Sequence, residues 1–163
     1  MYSIWLQIDV TVAGINGSQP VKCSRDVTLV PDTSLEEAQK KEYDIVVMPG
    51  GMGGSNAFAA SVVVGQLLKK QESSGKKVAA ICAAPIALKS HGIGLGKKVT
   101  CYPGIDKELK DSYQFCEDKV VVDGNLITSR GPGTAFDFGL AIVENLVGKE
   151  KAKSVAGELL LKA

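Results

Sequence analysis

Two strand patterns, each running directly into a turn and a helix, constrain the fold of this chain more than any other feature. Residues 44–48 (DIVVM) and 78–82 (VAAIC) are continuous apolar runs, as expected for central strands of a parallel sheet covered on both faces. Each run is followed by glycine or other small residues and then by a helical pattern. Strands that alternate with helices in this way predict an α/β sandwich with a mostly parallel sheet.

The rest of the chain continues this alternation. Further strands are predicted within residues 4–14, 98–101, 119–122 and 126–129, with a hairpin excursion over 20–30 and an Asp-Gly turn at 123–124. Helices are predicted over residues 34–41, 61–72, 84–90, 134–147 and 149–160. We expect a Thr33 or Ser34 cap on the first of these helices, a Thr134/Asp137 capping box on the fourth and a stop at Gly148. The helix over 134–147 is apolar nearly all the way round, so we expect it to be covered on more than one side.

Length and charge exclude several classes of protein. The chain has 163 residues, which predicts a single domain over 1–163. Nineteen basic and eighteen acidic residues leave a net charge of +1, which favours neither sequence-specific nucleic-acid binding nor an anionic membrane surface. No apolar run approaches the ~20 residues that span a bilayer. The four cysteines form no CxxC pair and no cluster with histidine, so we expect reduced thiols, no metal site and a cytoplasmic location.

The glycine-rich turn after the first buried strand is open to three interpretations. The segment is Pro49-Gly50-Gly51-Met52-Gly53-Gly54, and a phosphate cradle at a helix N-terminus is one possibility. The dinucleotide pattern fails because Asn56 stands where glycine is required, and no Gly-Lys-Ser/Thr follows. A tight turn that needs glycine is the second interpretation. An oxyanion site built from backbone N–H groups is the third.

Cys82 follows the second buried strand and precedes a helix, with small residues on both sides. This is the order of a nucleophile elbow, in which small neighbours permit the sharp turn and the helix N-terminus favours a thiolate. A single cysteine after a strand is more commonly a small buried apolar side chain. The carboxyl ends of parallel strands share one edge of the sheet, so the nearby glycine turn favours a reactive thiol.

Together these segments resemble a known family. The chain is similar to the Parkinson-disease protein deglycase branch of the ThiJ/PfpI superfamily from Val10 to the carboxyl end. The matching segments are VTVAG at 10–14, VKCSRDV at 21–27, PDTSLE at 31–36, DIVVMPGG at 44–51, AAICAAP at 79–85 and ITSRGPGTAFDF at 127–138.

The resemblance implies a flavodoxin-like fold of the class I glutamine amidotransferase type, a homodimer and no cofactor. It implies a glyoxalase or deglycase that acts on methylglyoxal-type dicarbonyls and early glycation adducts, with a role in the oxidative-stress response. Cys82 would be both the nucleophile and the oxidation site. The residues implied around it are Gly50, Gly51, Ala83 and the Cys82 amide in the oxyanion region, and Arg25, Arg130 and Pro132 along the pocket. The resemblance adds the nucleus and the mitochondrion as further compartments.

The chain also departs from the family pattern. The family's first β-α unit, with a proton-relaying glutamate, is matched only by Met1–Asp9, which contains no Glu. Tyr102 stands where many members have histidine, and we interpret the single histidine, His91, as a helix-end or surface residue. We therefore expect a sheet without its first β-α unit. Two alternatives to an active enzyme stay open: a non-catalytic redox-sensing or chaperone-like dimer, and a truncated inactive isoform.

Overall fold

The computed structural model describes residues 8–161, and within them ten strands and seven helices follow one another. The strands are β1 Ala13–Gly14, β2 Val21–Lys22, β3 Thr28–Leu29, β4 Thr33–Ser34, β5 Ile45–Met48, β6 Lys77–Ile81, β7 Lys98–Val99, β8 Gln114–Phe115, β9 Val120–Asp123 and β10 Leu126–Ser129. The helices are α1 Leu35–Ala38, α2 Met52–Ala60, α3 Val62–Ser73, α4 Pro85–His91, α5 Asp106–Leu109, α6 Ala135–Val147 and α7 Lys149–Glu158. The predicted α/β architecture is confirmed.

The largest sheet of the described chain has the strand order β5-β6-β10-β9. β5, β6 and β10 run parallel, and β9 pairs antiparallel with β10 through the predicted Asp-Gly hairpin. β1 pairs in parallel with β4 in a separate two-stranded sheet. In the described residues no strand joins β1 to the free edge of β5. Whether a family strand belongs between them stays a prediction.

Alternating side chains of β6 place the core on both faces of this sheet. Val78 and Ala80 pack into the larger cluster with Leu68 of α3 and Leu88 of α4. Ala79 lies on the opposite face. There it packs with Ile127 of β10 and Phe138 of α6. Since β6 is buried on both faces, the turn that follows it is fixed from both sides.

Several predicted elements have the expected place and the expected contacts. The four apolar-face residues predicted for the 61–72 helix are buried on α3: Val64, Leu67, Leu68 and Gln71. The Ser34 hydroxyl accepts a hydrogen bond from the Glu37 N–H and caps α1, and Gly148 ends α6. The hairpin predicted over 20–30 is the antiparallel pair β2–β3.

Other predictions are wrong in the described residues. Within 8–14 only Ala13–Gly14 forms a strand, and its parallel partner β4 is equally short because α1 begins directly after Ser34. Residues 4–7 of that predicted strand lie outside the described part. β5 is not covered on both faces, since Val47 is 43% exposed. The prediction that α6 is covered on more than one side is confirmed, since it packs against both β10 and α7, although Phe136 is 61% exposed.

The capping box predicted at the start of α6 is also absent. The hydroxyl of Thr134 makes no capping bond into that helix. It accepts the Gly131 N–H at 3.0 Å and bonds the Ser129 hydroxyl at 2.7 Å. Thr134 therefore braces the turn after β10.

Candidate active site at the end of β6

Cys82 is held in an unfavourable backbone conformation by hydrogen bonds on both sides. Its φ angle is +67°, a left-handed value that is uncommon for residues other than glycine. Its N–H donates to the Ser129 carbonyl at 2.9 Å, and its carbonyl accepts the Tyr102 N–H at 2.9 Å. These bonds fix the turn between β6 and α4 against two neighbouring segments. The half-buried side chain is thereby presented at the carboxyl edge of the sheet.

The glycine turn after β5 lies against this cysteine. A Cβ atom at Gly50 would come within 2.6 Å of the Cys82 Cβ and 3.4 Å of its Sγ. Gly50 therefore has no side chain because the nucleophile elbow occupies that space. This contact confirms that the two predicted strand ends converge at one place.

Two backbone amides at this place make no hydrogen bond in the described residues, one on the exposed Gly51 and one on the buried Ala83. Gly51 adopts φ +98° at the start of α2, where its carbonyl accepts the Ser55 N–H and hydroxyl. The Cys82 amide, in contrast, donates to Ser129, so its predicted role as an oxyanion donor is wrong. An oxyanion site here would consist of Gly51 and Ala83.

Two of the residues predicted to line the pocket, Arg130 and Pro132, lie on the loop that follows β10, the strand whose last residue bonds the elbow. Arg130 is half-buried and donates from Nη1 to the Glu117 carbonyl at 3.1 Å, which ties down this loop. Its charge also acts on the thiol of Cys101, which is adjacent to Tyr102. Gly131 faces the Tyr102 ring, since a Cβ there would lie 3.3 Å from Cδ2. Pro132 is exposed in the following turn.

Arg25 does not join this group in the described chain. It lies exposed in a turn between β2 and β3 with φ +60°, and no hydrogen bond or ion pair to it occurs within residues 8–161. Its neighbour Asp26 pairs with Lys22 at 2.7 Å. The pocket role of Arg25 stays a prediction.

The ionisable groups around the elbow supply neither a metal site nor a base bound to the sulfur. No cluster of three or more metal-ligating side chains occurs in the described part of the chain. His91 ends α4, as expected for a helix-end residue, and its Nε2 lies 2.8 Å from the Phe58 carbonyl. Within the same residues no hydrogen bond reaches the Cys82 Sγ.

The sequence did not reveal three residues that build this site. The Ser129 carbonyl accepts the Cys82 N–H, and the Ser129 hydroxyl is hydrogen-bonded to the Thr134 hydroxyl. Cys101 precedes Tyr102, whose N–H donates to the Cys82 carbonyl. Ser129 and Thr134 belong to ITSRGPGT, part of one of the segments that carry the family resemblance. Their pairing depends on the turn geometry, for which the sequence carries no separate signal.

The chain is similar to known proteins over most of its length. The sequence profile of the DJ-1/PfpI family matches residues 6–145. The chain belongs to the DJ-1/PfpI family. It is 49% identical to the Parkinson disease protein 7 homolog of Danio rerio over 158 residues, which cover 95% of this chain and 84% of that protein.

Two further relatives, one of them a solved structure, are similar over nearly the whole chain. The glutathione-independent glyoxalase DJR-1.2 of Caenorhabditis elegans is 43% identical over 155 residues, covering 94% of this chain and 82% of that protein. The crystal structure of Drosophila melanogaster DJ-1beta superposes with a TM-score of 0.95 at 54% identity. That superposition covers 98% of this chain and 87% of the fly protein. The flavodoxin-like fold that the resemblance implied is thus confirmed.

Proposed function

We propose that this chain is a glutathione-independent, cysteine-dependent glyoxalase or deglycase whose substrates are methylglyoxal-type dicarbonyls and early glycation adducts. The observation that carries the proposal is the placement of the Cys82 thiol beside two backbone amides that make no hydrogen bond in residues 8–161. The activity named for the Caenorhabditis elegans relative supports the same reaction class. The proposed reaction uses no organic cofactor and no metal ion.

The first step is attack by the Cys82 sulfur on the aldehyde carbon of the dicarbonyl. A carbon–sulfur bond forms and the carbonyl π electrons move to oxygen, giving a hemithioacetal oxyanion. The amides of Gly51 and Ala83 would donate to that oxygen. Because they are fixed by α2 and by the elbow before the reaction begins, they would need no reorganisation, which is what makes such donors effective.

The later steps need a proton carrier, since a hydrogen moves between two carbons before water releases the hydroxy acid. The family's glutamate has no counterpart in Met1–Asp9. A general acid or base typically contributes about 10²–10⁴-fold. We therefore expect residues 1–163 alone to turn over slowly. A version extended by the family's first β-α unit should be faster by a comparable factor.

Lactate formation from methylglyoxal without glutathione is the direct test. Cys82→Ser should abolish it, whereas Cys116→Ser, which changes a half-buried thiol on another segment, should leave it unchanged. The reaction class is wrong if the parent chain and its extended version both form no lactate. The assignment of the nucleophile is wrong if Cys82→Ser keeps the parent rate.

A redox-sensing role for Cys82 is a second candidate. The observation that favours it is the half-buried position of Cys82, which gives its sulfur the access to peroxide that the fully buried Cys101 lacks. Limited peroxide followed by peptide mass spectrometry should then find oxidation mainly on Cys82. Equal oxidation of Cys23 or Cys116 would contradict this role.

We also propose a single domain over 1–163 that forms a homodimer. Exposed apolar side chains support self-association, among them Phe136 on α6 (61% exposed) and Leu29 on β3 (54% exposed). None of the described helices has the length and apolar character to cross a bilayer. All four cysteines are free thiols, which supports the reducing cytoplasm as its compartment. Sedimentation should give one species of twice the chain mass.

A further inference from the structure

Cys101 is a nucleophilic group that the proposed reaction does not use. It is fully buried, and its Sγ donates weakly to the Tyr102 carbonyl at 3.5 Å. Burial, and to a lesser degree the Asp106 carboxylate, raise the pKa of this thiol to about 11 against the opposing charges of Arg130 and Lys110. Its thiol is therefore protonated at neutral pH and sheltered from solvent oxidants.

Two observations place Cys101 next to Cys82. The bond from the Tyr102 N–H to the Cys82 carbonyl measures 2.9 Å, and standard bond lengths then limit the two cysteine Cα atoms to at most about 7.7 Å apart. The charge of Cys82 is also among the causes that raise the Cys101 pKa, so the two sulfur groups are within electrostatic reach. Disulfides join Cα atoms about 4.4–6.8 Å apart, a range that this limit includes.

The other two thiols belong to different segments. The Cys23 sulfur points to the Val21 carbonyl on the exposed hairpin, and the Cys116 sulfur points to the Gln114 carbonyl. Neither residue is bonded to the turn that contains Cys82. Cys101 is thus the one cysteine of the four that this turn holds close to the nucleophile.

We propose that Cys101 is the resolving thiol for oxidised Cys82, so that limited peroxide forms an intramolecular Cys82–Cys101 disulfide. The Cys82 sulfur first attacks hydrogen peroxide, the O–O bond breaks, and sulfenic acid and water form. The Cys101 sulfur then attacks the Cys82 sulfur. A sulfur–sulfur bond forms, the sulfur–oxygen bond breaks, and the departing hydroxide takes the Cys101 proton as water. Two thiols are oxidised and one peroxide is reduced.

This disulfide would protect the nucleophile from irreversible oxidation. A sulfenic acid that meets a second peroxide becomes sulfinate, which thiols do not reverse. Because Cys101 is protonated at neutral pH, its attack is slow, and excess peroxide competes with it. Disulfide should therefore prevail at low peroxide and sulfinate at high peroxide. The inference rests on the reactive Cys82 of the proposed function but needs no turnover of dicarbonyl.

Tryptic mapping under non-reducing conditions tests the proposal, because the chain places each thiol on its own peptide. Cys82 lies on residues 78–89, Cys101 on 99–107, Cys116 on 111–119 and Cys23 on 23–25. After one equivalent of hydrogen peroxide, peptides 78–89 and 99–107 should appear joined, with a mass two hydrogens below their sum. Dithiothreitol should separate them.

Variants decide between resolution and simple proximity. In Cys101→Ser and Cys101→Ala the joined peptide should vanish, and Cys82 sulfinate should appear at lower peroxide than in the parent. Cys116→Ser should behave like the parent. The proposal is overturned if sulfinate forms at the same peroxide in the parent and in both Cys101 variants, or if peptide 78–89 is joined to 111–119 or 23–25. A joined peptide, together with no lactate from either the parent chain or its extended version, would refute the glyoxalase proposal alone.

Discussion

Replacement of Gly50 by alanine should damage the site more than any other single-methyl addition to the glycine turn. The new Cβ would stand 2.6 Å from the Cys82 Cβ and 3.1 Å from the Ile81 carbonyl oxygen. Carbon atoms in contact prefer about 3.5–4.0 Å, so the two strand ends must separate by about 1 Å. Overpacking of this kind costs about 1–3 kcal/mol, and a 1 Å displacement of a reacting group can cost about 10²-fold in rate.

Two neighbouring glycines provide matched controls for this substitution. A Cβ at Gly53, inside α2, meets nothing within 4 Å, and alanine there should stabilise the helix by about 0.5–1 kcal/mol. A Cβ at Gly51 also meets nothing, but its φ of +98° makes alanine strained, at about 1–3 kcal/mol. The three variants therefore separate steric conflict with Cys82 from backbone strain and from helix propensity.

The assay combines thermal unfolding with the alkylation rate of Cys82, read on the peptide of residues 78–89. For a chain of this size 1 kcal/mol corresponds to a Tm shift of roughly 2–4 °C. We expect Gly50→Ala to lower the Tm and to change the alkylation rate, Gly51→Ala to lower the Tm, and Gly53→Ala to do neither. If Gly50→Ala matches Gly53→Ala in both measurements, the close approach of β5 to the elbow is wrong.

Three further perturbations test the structure around the elbow. Thr128→Val removes the buried hydroxyl that accepts the Thr100 N–H at 2.9 Å and should cost about 1–3 kcal/mol in urea unfolding. Thr100→Val removes a buried hydroxyl without a partner in residues 8–161 and should cost less. Equal losses of stability would contradict this. The Cys101 thiol titrates near pH 9 when unfolded and near 11 when folded, so the unfolded chain releases its proton first. The free energy of unfolding should therefore fall between those pH values by up to about 2–3 kcal/mol. Cys101→Ala should flatten this fall in pH-dependent melts, and an unchanged slope would contradict it. Gly65→Ala would put a Cβ 2.5 Å from the His91 Nδ1 and should cost about 1–3 kcal/mol of stability. Most of this loss should disappear when His91 is also replaced by alanine. A purely additive double-mutant cycle would refute the contact.

The sequence predicted those parts of the fold in which a local pattern and the tertiary environment agree. The buried face of α3 was predictable because its four residues at helical spacing are all buried on one side of the helix. β6 and the elbow were predictable because a continuous apolar run ends at Cys82 among small residues. The same logic failed at residues 9–12, whose apolar alternation is that of a strand. There the bonds of Val12 go to Asp32 and to Thr33, the first residue of the two-residue strand β4, which is too short to pair with residues 9–11.

The candidate site was predictable as a set of residue types but not as a set of bonds. The sequence singled out Cys82 and Gly51 and could not show that the Cys82 amide is already bound by Ser129. That bond depends on the register between β6 and β10, which pairs Ile81 with Ser129. Likewise, no sequence spacing relates Cys101 to Cys82, because a loop and a helix separate them.

The left-handed backbone of Cys82 has an evolutionary consequence. A residue with a Cβ is penalised in this conformation by roughly 1–2 kcal/mol, and glycine is the residue that avoids the penalty. Selection for a stable fold alone would therefore replace this cysteine with glycine, so its presence records selection for a sulfur atom at this point. In any descendant that no longer needs the thiol, mutation should drift toward glycine here sooner than at the buried, unstrained Cys101. The identity of this one position would then reveal whether a lineage still uses the chemistry.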